Sequence, residues 1–355
     1  MRRDSDMPEG GPKTGAAAPL QPPPVVDGKD SAPPSAAAEP ARGREAVTPH
    51  HIPFRGWADV VWRSVEAVIA DRLMSVAAGV AFFTLLATFP AIAALVSLYG
   101  LFADTATISQ HLATLSFFLP PAGVEIIGEQ ASRVAAKSGS TLGLTFLVSL
   151  LVALWSANAA MKAMFEALGV VYGEREKRSI VAFNLQTLMF TLGAIILTAL
   201  AVGSLVVLPL VLGTFGVATT AERTLQIIRW PLLLVILLAS LNLLYRYGPS
   251  RREARWRWIS IGSVVAALGW VATSAAFSWY LSALTNFNET YGSLATVIAF
   301  MIWLWLSVFV VLFGGEINAE AERQTARDTT TGPELPLGQR GAVVADTIGP
   351  AKVGR

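Results

Sequence analysis

The chain has 355 residues, of which 53% are hydrophobic and 15% charged, and its formal net charge is +2. Soluble domains carry about 25% charged residues, so the composition excludes an ordinary soluble protein and indicates a protein of the lipid bilayer. The lack of cysteine excludes disulfides and thiol chemistry, and the near-neutral charge gives no reason to expect nucleic-acid binding.

The N-terminal residues 1–53 predict a disordered cytoplasmic tail. They hold eleven of the twenty prolines, together with Ala, Gly and mixed charges. They contain no apolar stretch typical of a signal peptide. Such a composition buries too little apolar surface to offset the entropy lost on ordering.

The next segment, from Gly56 to Arg72, predicts an amphipathic helix. Asp59, Arg63 and Glu66 fall on one side of a helical projection. Apolar residues recur on the other side: Trp57, Val60, Val61, Val65, Val68 and Ile69. This pattern predicts an N-terminal interfacial helix on the membrane surface, and it is also compatible with a helix packed against the rest of the protein.

Six stretches without Asp, Glu, Lys or Arg follow, at about 76–102, 142–161, 181–212, 230–245, 258–284 and 294–313. About 20 apolar residues cross a bilayer, and a charge at its centre costs at least ~2.5 to 3.5 kcal/mol. The fold class predicted is therefore all-α, a six-transmembrane-helix bundle spanning residues 54–325. Pro90 and Pro209 predict kinks in the first and third spans.

The connection 104–141 between the first two spans predicts a helical periplasmic cap. Pro120-Pro121 separates two short helices. In the second helix Glu125, Glu129 and Arg133 form a polar row at a spacing of four residues.

The distribution of Lys and Arg predicts the orientation. Fourteen basic residues flank the spans on one side: Arg55, Arg63, Arg72, Lys162, Arg175, Lys177, Arg178, Arg246, Arg251, Arg252, Arg255, Arg257, Arg323 and Arg327. Four lie on the other side: Arg133, Lys137, Arg223 and Arg229. Both termini are therefore expected in the cytoplasm, and residues 326–355, rich in Pro, Gly and Thr, predict a second disordered tail.

One basic loop follows the fourth span: Arg246, Arg251, Arg252, Arg255 and Arg257. Trp256 and Trp258 interrupt it beside a membrane span. Contact with anionic lipid headgroups, at about 1 kcal/mol per basic residue, is the simpler interpretation. Nucleic-acid binding by this loop is not expected.

Polar residues within or beside the spans are the candidate functional residues. A polar pocket near the cytoplasmic side is predicted from Asn158, Asn184, Gln186, Asn242, Glu316 and Asn318. The alternative is interhelical hydrogen bonding, at about 0.6 kcal/mol per contact. An outer gate is predicted from Asn286, Asn288 and Tyr291, and ordinary turn chemistry is the alternative.

Glu316 is the most informative carboxylate, because it follows Gly314-Gly315 at the end of the sixth span. It could pair with Arg246 or another basic residue of the inner loops, or it could carry a coupled proton. The two glycines favour either close approach to a neighbouring helix or a break in the helix.

Five short motifs occur in order along the chain: Phe89-Pro90, Trp155-Ser156-Ala157-Asn158, Leu244-Tyr245-Arg246-Tyr247-Gly248-Pro249, Tyr291-Gly292-Ser293-Leu294 and Gly314-Gly315-Glu316-Ile317-Asn318. With this pattern of spans, the region from Trp57 to Glu322 resembles the YihY/virulence factor BrkB family of bacterial inner-membrane proteins. The resemblance implies a role in the bacterial envelope, with transport commonly supposed. The family has also carried the name ribonuclease BN, which is held to be a misassignment.

The function expected is transport or export of a lipid-related or small envelope solute, with a non-transporting membrane scaffold as the alternative. Hydrolysis of RNA needs positioned acid and base groups, usually with metal ions. The sequence offers no cysteine and no carboxylate cluster within a predicted span. No enzymatic activity, cofactor or metal is expected. Membrane lipids are the expected partners, and the sequence does not indicate an oligomeric state.

Overall fold

The computed structural model describes residue 39 and residues 41–102, 124–125, 128–129, 139–214, 219–283 and 294–352. All of these belong to one compact unit, Pro33–Arg355.

The described residues form an all-helical protein, as the sequence predicts. A 3-10 turn, Pro49–His51, precedes eight α-helices: α1 (Phe54–Ala70), α2 (Leu73–Phe102), α3 (Gly139–Val171), α4 (Ile180–Thr214), α5 (Thr219–Tyr247), α6 (Trp256–Ala283), α7 (Ala295–Glu322) and α8 (Val343–Asp346). The β structure among them is an isolated antiparallel bridge between Ala254 and Thr330.

Within the part of the chain that the structure describes, four helical stretches are long and apolar enough to cross a membrane: Leu73–Ala91, Ile180–Thr198, Trp256–Ala283 and Ala295–Glu322. A fifth apolar stretch, Pro231–Tyr247, is shorter. Many large apolar side chains face outward from these helices and from α3; Trp155 is 75% exposed and Val181 is 77% exposed. Such a surface is unfavourable in water and suits contact with lipid chains.

The bundle is built around two helix pairs, α2 with α3 and α6 with α7, and α7 joins them because it also packs on α2 and α3. One buried cluster includes Leu73, Leu168, Tyr245, Ile259 and Leu312. Further along α6 and α7, Trp270 donates to Ser307 and Trp303 donates to Ser274, each at 3.1 Å. These reciprocal bonds satisfy both indole N–H groups and fix the pairing of the two helices.

A close crossing of α6 and α7 explains the glycine pair before Glu316. A Cβ atom added to Gly314 would lie 2.5 Å from the Gly262 carbonyl oxygen and 2.6 Å from the Tyr245 hydroxyl. The α7 helix continues without a break to Glu322. Of the two roles considered for these glycines, the structure supports close approach, the usual role of small residues between membrane helices.

Residues 54–70 form the helix α1, and two charged side chains of its predicted polar side face the protein. Asp59, Val60 and Arg63 are buried, whereas Phe54 is 88% exposed and Ile69 is 79% exposed. Val60, assigned from the sequence to the apolar side, therefore lies on the inner side with the charged residues. The outward stripe is apolar: Phe54, Ala58, Val61, Val65 and Ile69.

The C-terminal segment, residues 324–352, is folded, and the prediction of a disordered tail from residue 326 is wrong for this part. Thr329, Thr330 and Arg340 are buried. The Arg340 guanidinium donates to four backbone carbonyls, those of Ala326, Arg327, Leu335 and Ala345. Polar bonds to the backbone hold this segment, so a search for apolar periodicity does not detect it.

The N-terminal segment, residues 41–53, is also folded, which moves the start of the ordered domain upstream of residue 54. Ala46 and Ile52 are buried with Trp258 of α6. Residues 1–38 and 40 of the predicted tail lie outside the described residues.

Several other predictions fall at the margins of the described residues. Asn286, Asn288 and Tyr291, the predicted outer gate, lie outside them. Most of the predicted periplasmic cap does too, although Thr296 of α7 donates to Glu125 at 2.8 Å. The helices α2 and α4 run through positions 90 and 209, and the kinks predicted there remain predictions.

Candidate functional site

Three glutamates, Glu316, Glu320 and Glu322, lie buried at the C-terminal end of α7, and we call them the α7 carboxyl cluster. Each is at most 4% exposed. An ionised carboxylate removed from water is costly unless a cation and hydrogen-bond donors surround it. The three members differ in how this requirement is met.

Glu322 is held by Arg251. The two terminal nitrogens of Arg251 donate to its carboxylate oxygens at 3.1 and 2.6 Å, and Thr329 Oγ1 donates at 2.8 Å. Both charged side chains are 0% exposed, and the guanidinium lies 4.4 Å from the centre of the Tyr172 ring. Burial alone would lower the pKa of Arg251, but the charge and hydrogen bonds of Glu322, together with Tyr172 and Glu174, outweigh it and the pKa is raised.

Glu320 is held by two arginines from different parts of the chain. Arg63 of α1 donates from Nε at 2.5 Å, and Arg323 donates from Nη1 at 2.8 Å. Arg63 also donates to Gln324 Oε1 at 2.8 Å. Burial lowers the pKa of Arg63, and the charge of Glu320 opposes this effect. These bonds tie the inner side of α1 to the end of α7.

Glu316 has a different environment. Its carboxyl group meets that of Asp71, in the turn between α1 and α2, within hydrogen-bonding reach. Its Oε1 atom is buried and has no hydrogen-bond partner among the described residues. Burial raises the pKa of Asp71 above its ordinary value, against the hydrogen bond with Glu316 and the charge of Arg323.

The predicted pairing of Glu316 with Arg246 is wrong. Arg246 donates to Glu253 at 2.6 Å and to the Ala254 carbonyl at 2.5 Å, and it stacks 4.4 Å from the Trp256 ring. This side chain therefore stabilises its own loop.

A second buried oxygen without a partner lies near Glu316. Tyr172, which follows α3, is 0% exposed, and its hydroxyl makes no hydrogen bond with the described residues. It interacts electrostatically with Glu316, and burial raises its pKa, so the hydroxyl is neutral. Its neighbour Asn318 uses both amide atoms on α6, accepting from Gly262 N at 2.7 Å and donating to the Ile259 carbonyl at 2.9 Å.

Most of the remaining predicted pocket residues form hydrogen bonds between helices or within one helix. Asn242 accepts from Ser263 at 3.0 Å. Gln186 accepts from Arg178 at 2.6 Å and donates to the Tyr247 carbonyl at 3.0 Å.

Asn184 and Asn158 complete this set. Asn184 donates to the Ile180 carbonyl one turn earlier, at 2.7 Å. Asn158 is the exception, because its buried Oδ1 has no partner among the described residues. Because Asn184, Gln186, Asn242 and Asn318 all have partners, the candidate site narrows to Glu316, with Asn158 as a separate unsatisfied group.

The basic loop is only partly available for lipid contact. Arg246 and Arg251 are committed to ion pairs within the chain, which corrects the prediction for these two. Arg255 donates from Nε to the Thr330 carbonyl at 2.9 Å, and Arg252 reaches the Pro333 carbonyl at 3.5 Å. Arg257 is exposed, and headgroup contact remains a prediction for it.

The sequence reasoning missed Asp71, Arg63 and Tyr172 as site residues. Asp71 and Glu316 are far apart in the chain, and no local pattern links them. The burial of charged residues on α1 is a signal only once the helix is docked. Among the described residues, no group of three or more His, Cys, Asp or Glu side chains could hold a metal ion.

Comparison with known proteins agrees with the resemblance seen in the motifs. YfkH of Bacillus subtilis, named a ribonuclease-like protein, is 30% identical over 223 residues, 58% of this chain and 80% of YfkH. A UPF0761 membrane protein of Paraburkholderia xenovorans is 28% identical over 258 residues, 70% of this chain and 56% of that protein. A UPF0761 membrane protein of Cronobacter sakazakii is 26% identical over 287 residues, 78% of this chain and 93% of that protein.

No solved structure matches the chain. The sequence model of the family described as Virulence factor BrkB matches residues 64–336, from within α1 to the C-terminal segment. This match covers well over half of the chain and includes the whole α7 carboxyl cluster. The chain therefore belongs to the virulence factor BrkB family of membrane proteins.

Proposed function

We propose that the chain is a six-span transporter of the bacterial inner membrane that moves a lipid-related or small solute of the cell envelope. Both termini lie in the cytoplasm. Membrane lipids surround the bundle, and either a lipid or a small molecule is the cargo.

Contacts at one end of the bundle support this orientation. Ala326 N donates to the Arg44 carbonyl at 2.8 Å and Arg255 N donates to the Thr329 carbonyl at 2.9 Å. Lys177 N donates to Ser250 at 3.0 Å. The N-terminal segment, the C-terminal segment and the two most basic loops therefore meet on one side, which the distribution of Lys and Arg assigns to the cytoplasm.

The outward stripe of α1 supports an interfacial position for this helix. Phe54, Val61, Val65 and Ile69 are exposed, while Asp59 and Arg63 of the opposite face are paired within the protein, with Arg42 and Glu320. A helix with this arrangement lies flat in the headgroup region, with its apolar side toward the acyl chains.

Transport is supported chiefly by one observation, the buried carboxyl group of Glu316, whose Oε1 atom has no hydrogen-bond partner among the described residues. A polar group buried in this way destabilises a membrane protein, and such groups usually mark ion or substrate pathways. A structural carboxylate would be expected to resemble Glu320 or Glu322, whose charges are neutralised by arginine.

A non-transporting scaffold is the second candidate, and the satisfied polar residues favour it. Asn242 and Asn318 bond to neighbouring helices, which is what a bundle that only needs to stay assembled requires. The ribonuclease-like name belongs to YfkH and is not part of our proposal.

Flux measurements with purified full-length protein in bacterial phospholipid vesicles test transport. One experiment follows the movement between leaflets of a phospholipid with a fluorescent headgroup. An impermeant reductant added outside quenches the fluorescence of the lipids that have reached the outer leaflet. The other experiment follows radiolabelled glycerol 3-phosphate. We expect the wild type to move one probe faster than protein-free vesicles and Glu316→Gln to lose most of the excess rate.

Glu166→Gln is the matched control, because Glu166 is an exposed glutamate on α3. It should keep the wild-type rate. Glu316→Gln should still be recovered from the membrane in wild-type amounts, and its loss from the membrane would instead indicate a structural role. Equal rates in the wild type, both variants and protein-free vesicles would contradict transport of these probes and favour the scaffold.

A further inference from the structure

The carboxyl groups of Asp71 and Glu316 meet, and no arginine of the described residues donates a hydrogen bond to either of them. Arg63 and Arg323 both donate to Glu320. Arg251 donates to Glu322. Two carboxylates in contact repel each other strongly, and the repulsion is removed when they share one proton.

We propose that the Asp71–Glu316 pair binds one exchangeable proton and is the coupling site of this protein. This inference rests on the proposed transport function, because it names the ion that drives it. In the protonated state the proton lies between the two carboxyl groups and the pair carries a single negative charge. Release of the proton to water leaves two carboxylates facing each other, so a rearrangement of the turn or of α7 must relieve their repulsion.

The two carboxyl groups of the pair differ in their exposure to solvent. Glu316 is 1% exposed, whereas Asp71 is only half-buried. Protons therefore reach the pair from solvent through Asp71, and Glu316 is the inner member. Asp71 lies in the short turn between α1 and α2, so a change in its charge acts directly on the junction of these helices.

The groups that face Glu316 come from several elements. Glu320 of α7 adds negative potential and Arg323 opposes it. Tyr172, after α3, presents a buried hydroxyl without a hydrogen-bond partner among the described residues. The Tyr245 hydroxyl of α5 is already used, since it donates to the Val311 carbonyl at 2.7 Å.

The Tyr172 hydroxyl can act as a hydrogen-bond donor to Glu316. A neutral hydroxyl can donate to a carboxylate, and Glu316 has an oxygen without a donor. When the shared proton leaves, Tyr172 can donate to Glu316 after a small movement. This would compensate in part for the lost hydrogen bond between the two carboxyl groups.

Infrared difference spectroscopy of the full-length protein in lipid nanodiscs tests the proposal without any cargo. A buried protonated carboxylic acid gives a C=O stretching band that shifts in D2O. We expect the wild type to show such a band at neutral pH and to lose it on alkalinisation, with release of one proton. Glu316→Gln should lack the band, and Glu166→Gln should keep it.

Asp71→Asn is the second variant, because Asp71 is less buried and its replacement by a neutral residue of the same shape preserves the turn. We expect the titration of the band to move to lower pH, since the remaining carboxyl group no longer faces a second negative charge. Absence of the band from the wild type at neutral pH, its persistence in Glu316→Gln, or an unchanged titration in Asp71→Asn would each overturn the proposal. Because no transported probe is present, these outcomes are independent of the flux measurements.

Discussion

Single residues at the end of α7 show two ways of burying a carboxyl group. Glu320 and Glu322 are paired with arginines, although the Nε atoms of Arg251 and Arg323 are buried without a partner among the described residues. Glu316 has a carboxyl neighbour and an oxygen without a partner. The three share a residue type, a helix and nearly the same exposure, so the difference lies in what the rest of the chain brings to each.

The Arg251–Glu322 pair gives the first prediction. Arg251→Met should lower the free energy of unfolding by about 3 to 5 kcal/mol, because Glu322 would stay buried without its cation. Titration with a denaturing detergent, followed by tryptophan fluorescence, measures the loss. Arg257→Met is the control, since Arg257 is exposed in the first turn of α6; equal stability of the two variants would show that the pair is not structural.

Asp59 gives a pH prediction. Burial would raise its pKa, but hydrogen bonds from Arg42 and from Lys352 N prevail and the pKa is lowered. The bonds from Arg42 measure 2.7 and 2.6 Å. A lowered pKa means that this stabilisation is present above the unfolded-state pKa of about 3.9 and is lost as the pH falls through the lower, folded-state value.

The melting temperature of Asp59→Asn should therefore lie below that of the wild type at neutral pH, and the difference should shrink in acid. Scanning fluorimetry from neutral pH down to about pH 3 measures it. A difference that stays constant over this range would contradict the assignment of the stabilisation to the ionised carboxylate.

Among the helices, the α6–α7 crossing and the docking of α1 shape the candidate site. Gly262 and Gly314 let α6 and α7 touch, which places Asn318 where it bonds to α6. The α1 helix turns its charged side toward α7, where Arg63 meets Glu320. The turn that follows α1 then brings Asp71 to Glu316.

Gly262→Ala tests the crossing. An added methyl group would collide with the Gly314 carbonyl oxygen and lie 2.5 Å from the Asn318 amide. It should destabilise the protein, although alanine favours a helix over glycine by about 1 kcal/mol. Gly193→Ala is the control, because nothing lies within 4 Å of the added atom; a Gly262→Ala variant as stable as this control in detergent unfolding would contradict the close crossing.

Arg340 tests the C-terminal segment. Arg340→Met removes donors to four backbone carbonyls. Residues 326–352 should therefore become sensitive to proteinase K in inside-out vesicles, which expose the cytoplasmic face. Arg252→Met is the control, because its side chain makes one contact of 3.5 Å. Equal resistance of both variants would show that other bonds suffice to hold the segment.

For the whole molecule, the sequence predicts the helices better than the contacts between them. Apolar runs without charge indicate the long helices, because a bilayer tolerates little else. The folding of the C-terminal segment was not predictable, because Arg340 and Thr329 act through bonds to distant backbone or side-chain atoms. The partner of Glu316 was not predictable either, because Asp71 becomes its neighbour only when α1 packs against α7.

The proposed topology, in which the chain crosses the inner membrane six times and keeps both ends in the cytoplasm, is open to a direct test. The chain has no cysteine, so single cysteines can be introduced at Arg175, Glu334 and Asn288 and labelled in spheroplasts with an impermeant maleimide. With this topology, Asn288→Cys should be labelled from outside. Arg175→Cys and Glu334→Cys should be labelled only after the membrane is permeabilised. Labelling of Glu334→Cys in intact spheroplasts, or protection of Asn288→Cys, would contradict it.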